Sequence, residues 1–363
     1  MEEDFEKKEE KVEDVTPLGD IIKKKKEKKK AKKEKLINQL ERKRKFEEAS
    51  NCKEESEIKK IKFDNVFDAQ KALGRKGRDF TVSLALAGSI LDNAQSAELR
   101  TYLAGQIARA LAVFNIDEVI VFSDDKDEGA QGNSQLINIL QYLECPQYLR
   151  KDLFPIHRDL KFAGVLNPTD MPHHLRAFEE SEYREGLVLD KKSASGASLA
   201  YTGLKKDCEL DQEVETGTRV TIKLLEETKK VIKGKVVTPD TPREVSGLYW
   251  GYSVRFAPTL TSIFTKSPFK GGYDLTLGTS ERGQNVDKIE PLPDFKHLLV
   301  VFGGVKGLEA ALKIDPELKN VEDPEPLFDL YLNTCPSQGS RTIRTEEAIL
   351  VSLAALRSKI WKS

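Results

Sequence analysis

Toward the C-terminal end, three short apolar runs each lead into glycine and small polar side chains. The run 273–277 enters Gly278-Thr279-Ser280-Glu281-Arg282-Gly283, and 298–302 enters Gly303-Gly304-Val305-Lys306-Gly307-Leu308-Glu309. The run 327–332 enters Asn333-Thr334-Cys335-Pro336-Ser337-Gln338-Gly339-Ser340. Runs of this length suit buried strands. Glycine lets a backbone come close to a ligand and leaves N–H groups free to donate. After the third loop a helix is expected, with Thr345 as N-cap and Glu346 and Glu347 in the first turn, where acids favour the helix dipole. Ala348, Ile349, Ser352, Leu353 and Leu356 form its apolar stripe. Strand, small-residue loop and helix N-terminus make the place where α/β proteins bind ligands. No loop reads GxGxxG and no GxxxxGK[ST] occurs, so neither a dinucleotide fingerprint nor a P-loop is indicated.

The segments GTSERG, VVFGGVKGLE and LNTCPSQGSRTIRTEEA together resemble the three cofactor loops of the SPOUT RNA methyltransferases. The closest likeness is to the eukaryotic and archaeal branch with a β-rich insertion, and it runs over 81–356. The resemblance implies an α/β fold: a trefoil-knotted, Rossmann-like parallel sheet with an inserted OB-like β-barrel. It implies S-adenosylmethionine as cofactor, held by Thr279, Ser280, Arg282, Gly303, Gly304, Gly307, Asn333, Thr334, Gln338, Gly339, Ser340 and Thr342. It also implies an RNA substrate, and GSRTIRTEEA is most similar to the branch acting on uridine N3 of ribosomal RNA. One departure is visible: that branch carries Pro-Gly-Ser where this chain has Ala87-Gly88-Ser89. A catalytically weakened ribosome-assembly factor on the same fold is the competing class.

Methyl transfer is an in-line displacement, so catalysis is alignment plus control of the acceptor's proton. Arg282 and Arg341 are candidates for holding a phosphate or the acceptor base, because guanidinium offers a planar fork of donors. Glu281 is the candidate to accept the acceptor's proton or to hydrogen-bond the cofactor. The plainer alternative makes Glu281–Arg282 and Arg344–Glu347 ordinary surface pairs.

At 363 residues the chain has room for two or three domains. Its formal net charge of −1 hides an asymmetry. Residues 1–20 carry nine acids against three lysines, and 21–45 carry fourteen Lys or Arg against three Glu. Such a block buries too little apolar surface to fold alone, so 1–75 is read as a disordered charged arm and linker. A solubilising tail is one reading; a phosphate-binding arm that doubles as a nuclear or nucleolar address is the other. Four cysteines, at 52, 145, 208 and 335, form no CxxC pair or disulfide pattern and suit a reducing compartment. Neither a run of 18 apolar residues nor a signal peptide is seen, so a soluble intracellular chain without a membrane partner is expected.

Residues 80–86 read as a strand, Ser96 as the cap of a helix over Ala97–Val113, and 117–122 as a second strand. This β–α–β unit argues for a parallel sheet. In the family it is the open Rossmann-like half, with Arg100 and Arg109 toward RNA. An acidic loop is expected at 123–133 and a helix over 134–143. The texture then changes: 186–189, 220–224, 234–237 and 248–254 read as strands of a small antiparallel β unit. The expected division is 76–163 and 257–363 for the SPOUT domain, with 164–256 inserted. In an OB-like barrel, Arg243, Tyr249, Trp250 and Tyr252 would offer the basic and aromatic groups that bind single strands. His173 and His174 lack partners at zinc spacing and read as structural. The C-terminal helix is apolar nearly all round, which predicts a homodimer, or a heterodimer with a related SPOUT chain, through Ile349, Leu353 and Leu356.

Overall fold

The computed structural model describes residues 77–125, 131–227 and 231–361. The charged arm and residues 126–130 of the acidic loop lie outside them. The first half supplies β1 (Thr81–Ala87), α1 (Ala97–Val113), β2 (Glu118–Phe122), α2 (Gln131–Glu144) and α3 (Gln147–Leu153). Then come five strands, β3 (Tyr183–Lys192), β4 (Ser198–Tyr201), β5 (Cys208–Leu210), β6 (Arg219–Glu227) and β7 (Ile232–Val237), followed by α4 (Thr241–Ser246). The last part holds β8 (Ser253–Ala257), α5 (Leu260–Thr265), β9 (Leu275–Asn285), β10 (His297–Phe302), α6 (Leu308–Ile314), β11 (Leu330–Asn333) and α7 (Thr345–Ile360).

Six strands form one sheet in the order β11-β9-β10-β1-β2-β8, parallel throughout. Every residue of β1 and β2 is buried, as expected when helices cover both faces. Successive side chains alternate between two cores. Val82, Leu84 and Leu86 join Ile107, Leu111, Leu140, Ile349, Leu353 and Leu356 on one face. Ala85, Ala87, Ile120 and Phe122 join Ile263, Leu299, Val301 and Leu312 on the other. Ser96 caps α1 as expected, its Oγ accepting from Leu99 N at 3.2 Å. Leu99 itself is 53% exposed, so the buried stripe begins at Leu103.

The five middle strands close a barrel in the order β3-β4-β5-β7-β6, packed around Val188, Ala200, Cys208, Leu210, Ile222 and Ile232. The sequence also places 248–254 in this unit, and the structure corrects that. Ser253–Ala257 pairs in parallel with β2 in the main sheet. Arg243, Tyr249, Trp250 and Tyr252 do not form an exposed nucleic-acid face either, since all four are buried. Tyr249 Oη donates to Ile116 O (2.8 Å), Tyr252 Oη to Leu140 O (3.1 Å) and Trp250 Nε1 to Glu185 Oε1 (2.7 Å). Arg243 donates to the carbonyls of Arg78 and Phe80. Each polar handle finds a buried acceptor, which is what lets amphipathic rings serve as core.

The barrel is tied to the sheet through charge. Arg219 on β6 donates to both carboxylate oxygens of Glu144 at the end of α2 (2.6 and 2.9 Å) and to Glu185 on β3 (2.7 Å). His173 and His174 have a structural use: each Nε2 donates to Glu144 O, at 2.8 and 2.7 Å. Burial holds His174 down at about 3, so it is neutral in this pair. Arg100 pairs with Asp92, and Arg109 donates to the carbonyls of Pro168 and Thr169. Among the described residues no helix is long and apolar enough to cross a membrane.

Candidate functional site

The three glycine-bearing segments meet at the C-terminal ends of β9, β10 and β11. They enclose a cavity of about 510 Å³ that the start of α7 completes. Open parallel sheets bind ligands at this end of their strands.

Composition predicts a loop over 278–283, but β9 remains extended through Asn285. Register explains the cavity wall. Gly278 lies opposite Tyr331 and Gln284 opposite Leu332, so β9 passes through residues 279–283 while β11 advances by none. That excursion carries Thr279, Ser280, Glu281 and Arg282 to the cavity. Thr279 Oγ1 anchors it on Val301 O (3.0 Å), and Asn333 Nδ2 holds Glu281 O (2.8 Å).

The second wall is the turn after β10. A Cβ on Gly303 would lie 2.8 Å from both Gly307 C and Leu308 N, closer than real Cβ atoms come to backbone. Gly307 has φ +72°, a conformation that L side chains rarely adopt. The turn is therefore two strands of backbone pressed together, closed by Gly307 N donating to Gly304 O (3.0 Å).

The third wall is the 333–343 segment. Asn333 Oδ1 accepts from Cys335 N, and Thr334 Oγ and Ser352 Oγ lie 2.6 Å apart. The N-cap expectation shifts by one residue: Arg344 occupies that position and its N–H donates to Glu347 Oε2 (3.2 Å). Thr345 instead donates its hydroxyl to Gly303 O (3.3 Å), fastening the helix to the glycine turn. The Arg344–Glu347 contact is thus a backbone cap, and Arg282 pairs with Glu309 rather than with its neighbour Glu281.

The structure brings Thr279, Ser280, Glu281, Arg282, Gly303, Gly304, Gly307, Asn333, Thr334, Gln338 and Thr342 onto one surface. Gly339, Ser340 and Arg341 are exposed and do not line it. Their loop folds on itself, Gln338 Nε2 donating to Ser340 O and Ser340 Oγ to Thr342 O. The sequence reading omits Lys306, Glu309, Tyr331, Ile343 and Ser352, which also line the cavity. Glu309 carried a signal, an acid in the first turn of a helix. Tyr331 looked like plain core; burial pushes its hydroxyl up, against a hydrogen bond with Ser280 that lowers it. Behind Gly304, Ser89 Oγ donates to Asp124 Oδ2 (2.5 Å), and burial raises the Asp124 carboxyl despite that bond.

Small polar side chains and crowded glycine backbone suit a nucleoside-sized ligand, and the volume lies within the ~300–1,000 Å³ usual for such sites. Among the described residues no group of three or more His, Cys, Asp or Glu is placed to hold a metal ion.

The family model described as "Putative RNA methyltransferase" matches residues 81–356. A human protein named 28S rRNA (uridine-N(3))-methyltransferase is 53% identical, over 87% of this chain and 85% of its own. The mouse protein of that name is 56% identical, over 78% and 77%. The Drosophila melanogaster protein of that name is 51% identical, over 77% and 62%. Among solved structures, the SpoU methyltransferase AviRb from Streptomyces viridochromogenes, in complex with AdoMet, overlaps at a TM-score of 0.29 and 11% identity. It covers 79% of this chain and 59% of that one, an overlap too slight to bear on fold or activity. The family match spans three quarters of the chain and all three walls of the cavity: the chain belongs to this RNA methyltransferase family.

Proposed function

We propose that the chain methylates N3 of a uridine in large-subunit ribosomal RNA, with S-adenosylmethionine as donor. The observation that carries this reading is the convergence of three strand-end segments on one cavity of small-molecule size. Relatives more than half identical that are named for uridine-N3 methylation support the choice of acceptor. The backbone of Gly303–Gly304 and Gly307, with Thr279, Ser280, Asn333, Thr334, Gln338 and Thr342, would hold the cofactor. The bound cofactor supplies a methyl group made electrophilic by its sulfonium. Arg282 and Lys306 line the cavity and are exposed, so they would meet the acceptor nucleotide. Arg341, outside the cavity, is assigned to phosphate beside it, together with Gly339 and Ser340 on its loop.

The same reading makes 21–45 a sequence-independent phosphate-binding arm and a nucleolar address, and places the activity in ribosome biogenesis. The knotted crossing of the C-terminal strands belongs to it too. So does a dimer with itself or a related SPOUT chain, though through different residues than the helix stripe suggests. Ile349, Leu353 and Leu356 are fully buried in their own core, whereas Leu350 and Val351 are exposed on α7 and Leu99 and Tyr102 on the neighbouring α1.

The test is transfer of labelled methyl from S-adenosylmethionine to transcribed large-subunit rRNA, followed by nucleoside mass spectrometry. 3-Methyluridine is expected; methyl on a ribose hydroxyl, or on no nucleoside, refutes the reading. Light scattering that finds a monomer at micromolar concentration removes the homodimer.

A further inference from the structure

Four charged side chains line the cavity: Glu281, Arg282, Lys306 and Glu309. Two of them touch. Arg282, on the β9 excursion, reaches with Nη2 to Glu309 Oε1 on the first turn of α6. The Arg282 side chain is 69% exposed and has room to swing, whereas Glu309 is 27% exposed and enclosed by the wall. Glu281, the carboxylate that sequence alone favours, is exposed to solvent.

Uracil N3 carries a proton at neutral pH, and its lone pair is delocalised into the ring. It attacks an electrophilic carbon only as that proton leaves. We propose that Glu309 takes the N3 proton, and that Arg282 passes from Glu309 to a uracil carbonyl oxygen as the acceptor docks. This rests on reading the cavity as a uridine-N3 methylation site. In the step the N–H electron pair becomes the N3–CH₃ bond, and the pair of the breaking S–CH₃ bond stays on sulfur. The proton goes to a Glu309 carboxylate oxygen and later to solvent. While Arg282 holds Glu309, the guanidinium occupies the carboxylate oxygen that would take the proton. Moving the guanidinium to the substrate frees the base and neutralises the charge that develops on the uracil oxygen. Arrival of the acceptor thereby switches the base on. Glu309 is a catalytic residue in this scheme, because it touches the reacting proton.

The test is single-turnover methyl transfer at saturating cofactor and RNA, against pH, with uridine or the more acidic 5-fluorouridine at the target. Glu309→Gln is expected to slow transfer to uridine at pH 7 by about 10²–10⁴, the usual contribution of a general base. Its rate should climb tenfold per pH unit between about pH 6 and 8 while the native protein stays flat, since the acceptor must then ionise unaided. The loss should be smaller with 5-fluorouridine. Cofactor affinity by calorimetry and RNA affinity by filter binding should match the native protein. Glu309→Asp should keep the flat profile at a lower rate. A Glu309→Gln protein with the native rate or a flat profile overturns the assignment, as does one whose lost rate is matched by lost cofactor affinity. If the native protein transfers methyl to neither RNA, the uridine reading itself falls and the proposal with it.

Discussion

Replacing Arg219 by Ala should cost the folded chain about 3 kcal/mol at pH 7, near the lower end of what breaking a buried ion pair costs. The guanidinium makes three charge-assisted hydrogen bonds, two to Glu144 and one to Glu185. The carboxylates left behind are 10% and 4% exposed. Glu185 Oε1 would keep Thr221 Oγ1 (2.6 Å) and Trp250 Nε1 (2.7 Å), so its loss is partial. Glu144 would keep His173 Nε2 at 3.1 Å and lose its cation. Arg219 is itself 29% exposed, so water would reach part of the gap, which is why the lower end is chosen. The pH dependence has a definite sign. Burial pushes the Glu144 carboxyl up, but the Arg219 charge, the His173 bond and the Arg219 hydrogen bonds outweigh it and hold it well below the usual carboxylate range. A depressed carboxylate stabilises the fold above its unfolded value, near 4, and that stability is lost as pH falls below it. Without Arg219, burial alone raises Glu144, so the variant is penalised at neutral pH and relieved as the carboxyl takes up a proton. The gap between the two proteins should therefore narrow from pH 7 to pH 5. Urea unfolding followed by tryptophan fluorescence measures it at both values. A gap under about 1 kcal/mol at pH 7, the size of an exposed pair, or one that widens toward pH 5, refutes the account.

Gly303→Ala places a Cβ against Gly307 and Leu308 backbone and should open the turn; calorimetry should show S-adenosylmethionine affinity lowered at least tenfold with thermal unfolding still cooperative. Deleting 21–45, with its fourteen basic residues, should flatten the salt dependence of RNA binding because fewer counterions are released, read as the slope of log affinity on log salt.

The β–α–β start, the parallel sheet and the meeting of three glycine-bearing segments were legible because each rests on a local pattern: apolar run, cap, small-residue turn. What escaped depends on partners distant in sequence. The stretch Gly278–Gly283 has a loop's composition, yet β10 pairs with Gly278 and Thr279 and β11 with Gly278 and Gln284 on either side of an extended excursion that brings Thr279–Arg282 to the cavity. Tyr249, Trp250 and Tyr252 look like a binding face until Ile116, Glu185 and Leu140 are seen to accept their polar atoms. Glu309 gains meaning only when Arg282, twenty-seven positions earlier, arrives beside it. The α7 stripe was legible as apolar, but which side is covered is decided by α1 packing there.

The Ala87 departure, which on sequence weakens the enzyme reading, loses that force in three dimensions. Ala87 is fully buried as the last residue of β1, opposite Phe122 of β2. Its φ of −77° and ψ of 141° lie where a proline would hold the chain. The turn therefore keeps the geometry that a proline ring would impose, held from outside by the Ser89–Asp124 hydrogen bond. Gly304 completes the arrangement. A Cβ there would point at Asp124, Ser89 and Ala87, behind the turn. A large side chain at Gly304 would therefore disturb the joint between the first two strand ends and the glycine turn before it reached the cavity. Gly303 is accordingly the better position from which to probe the pocket, and alanine at position 87 is no evidence of lost chemistry.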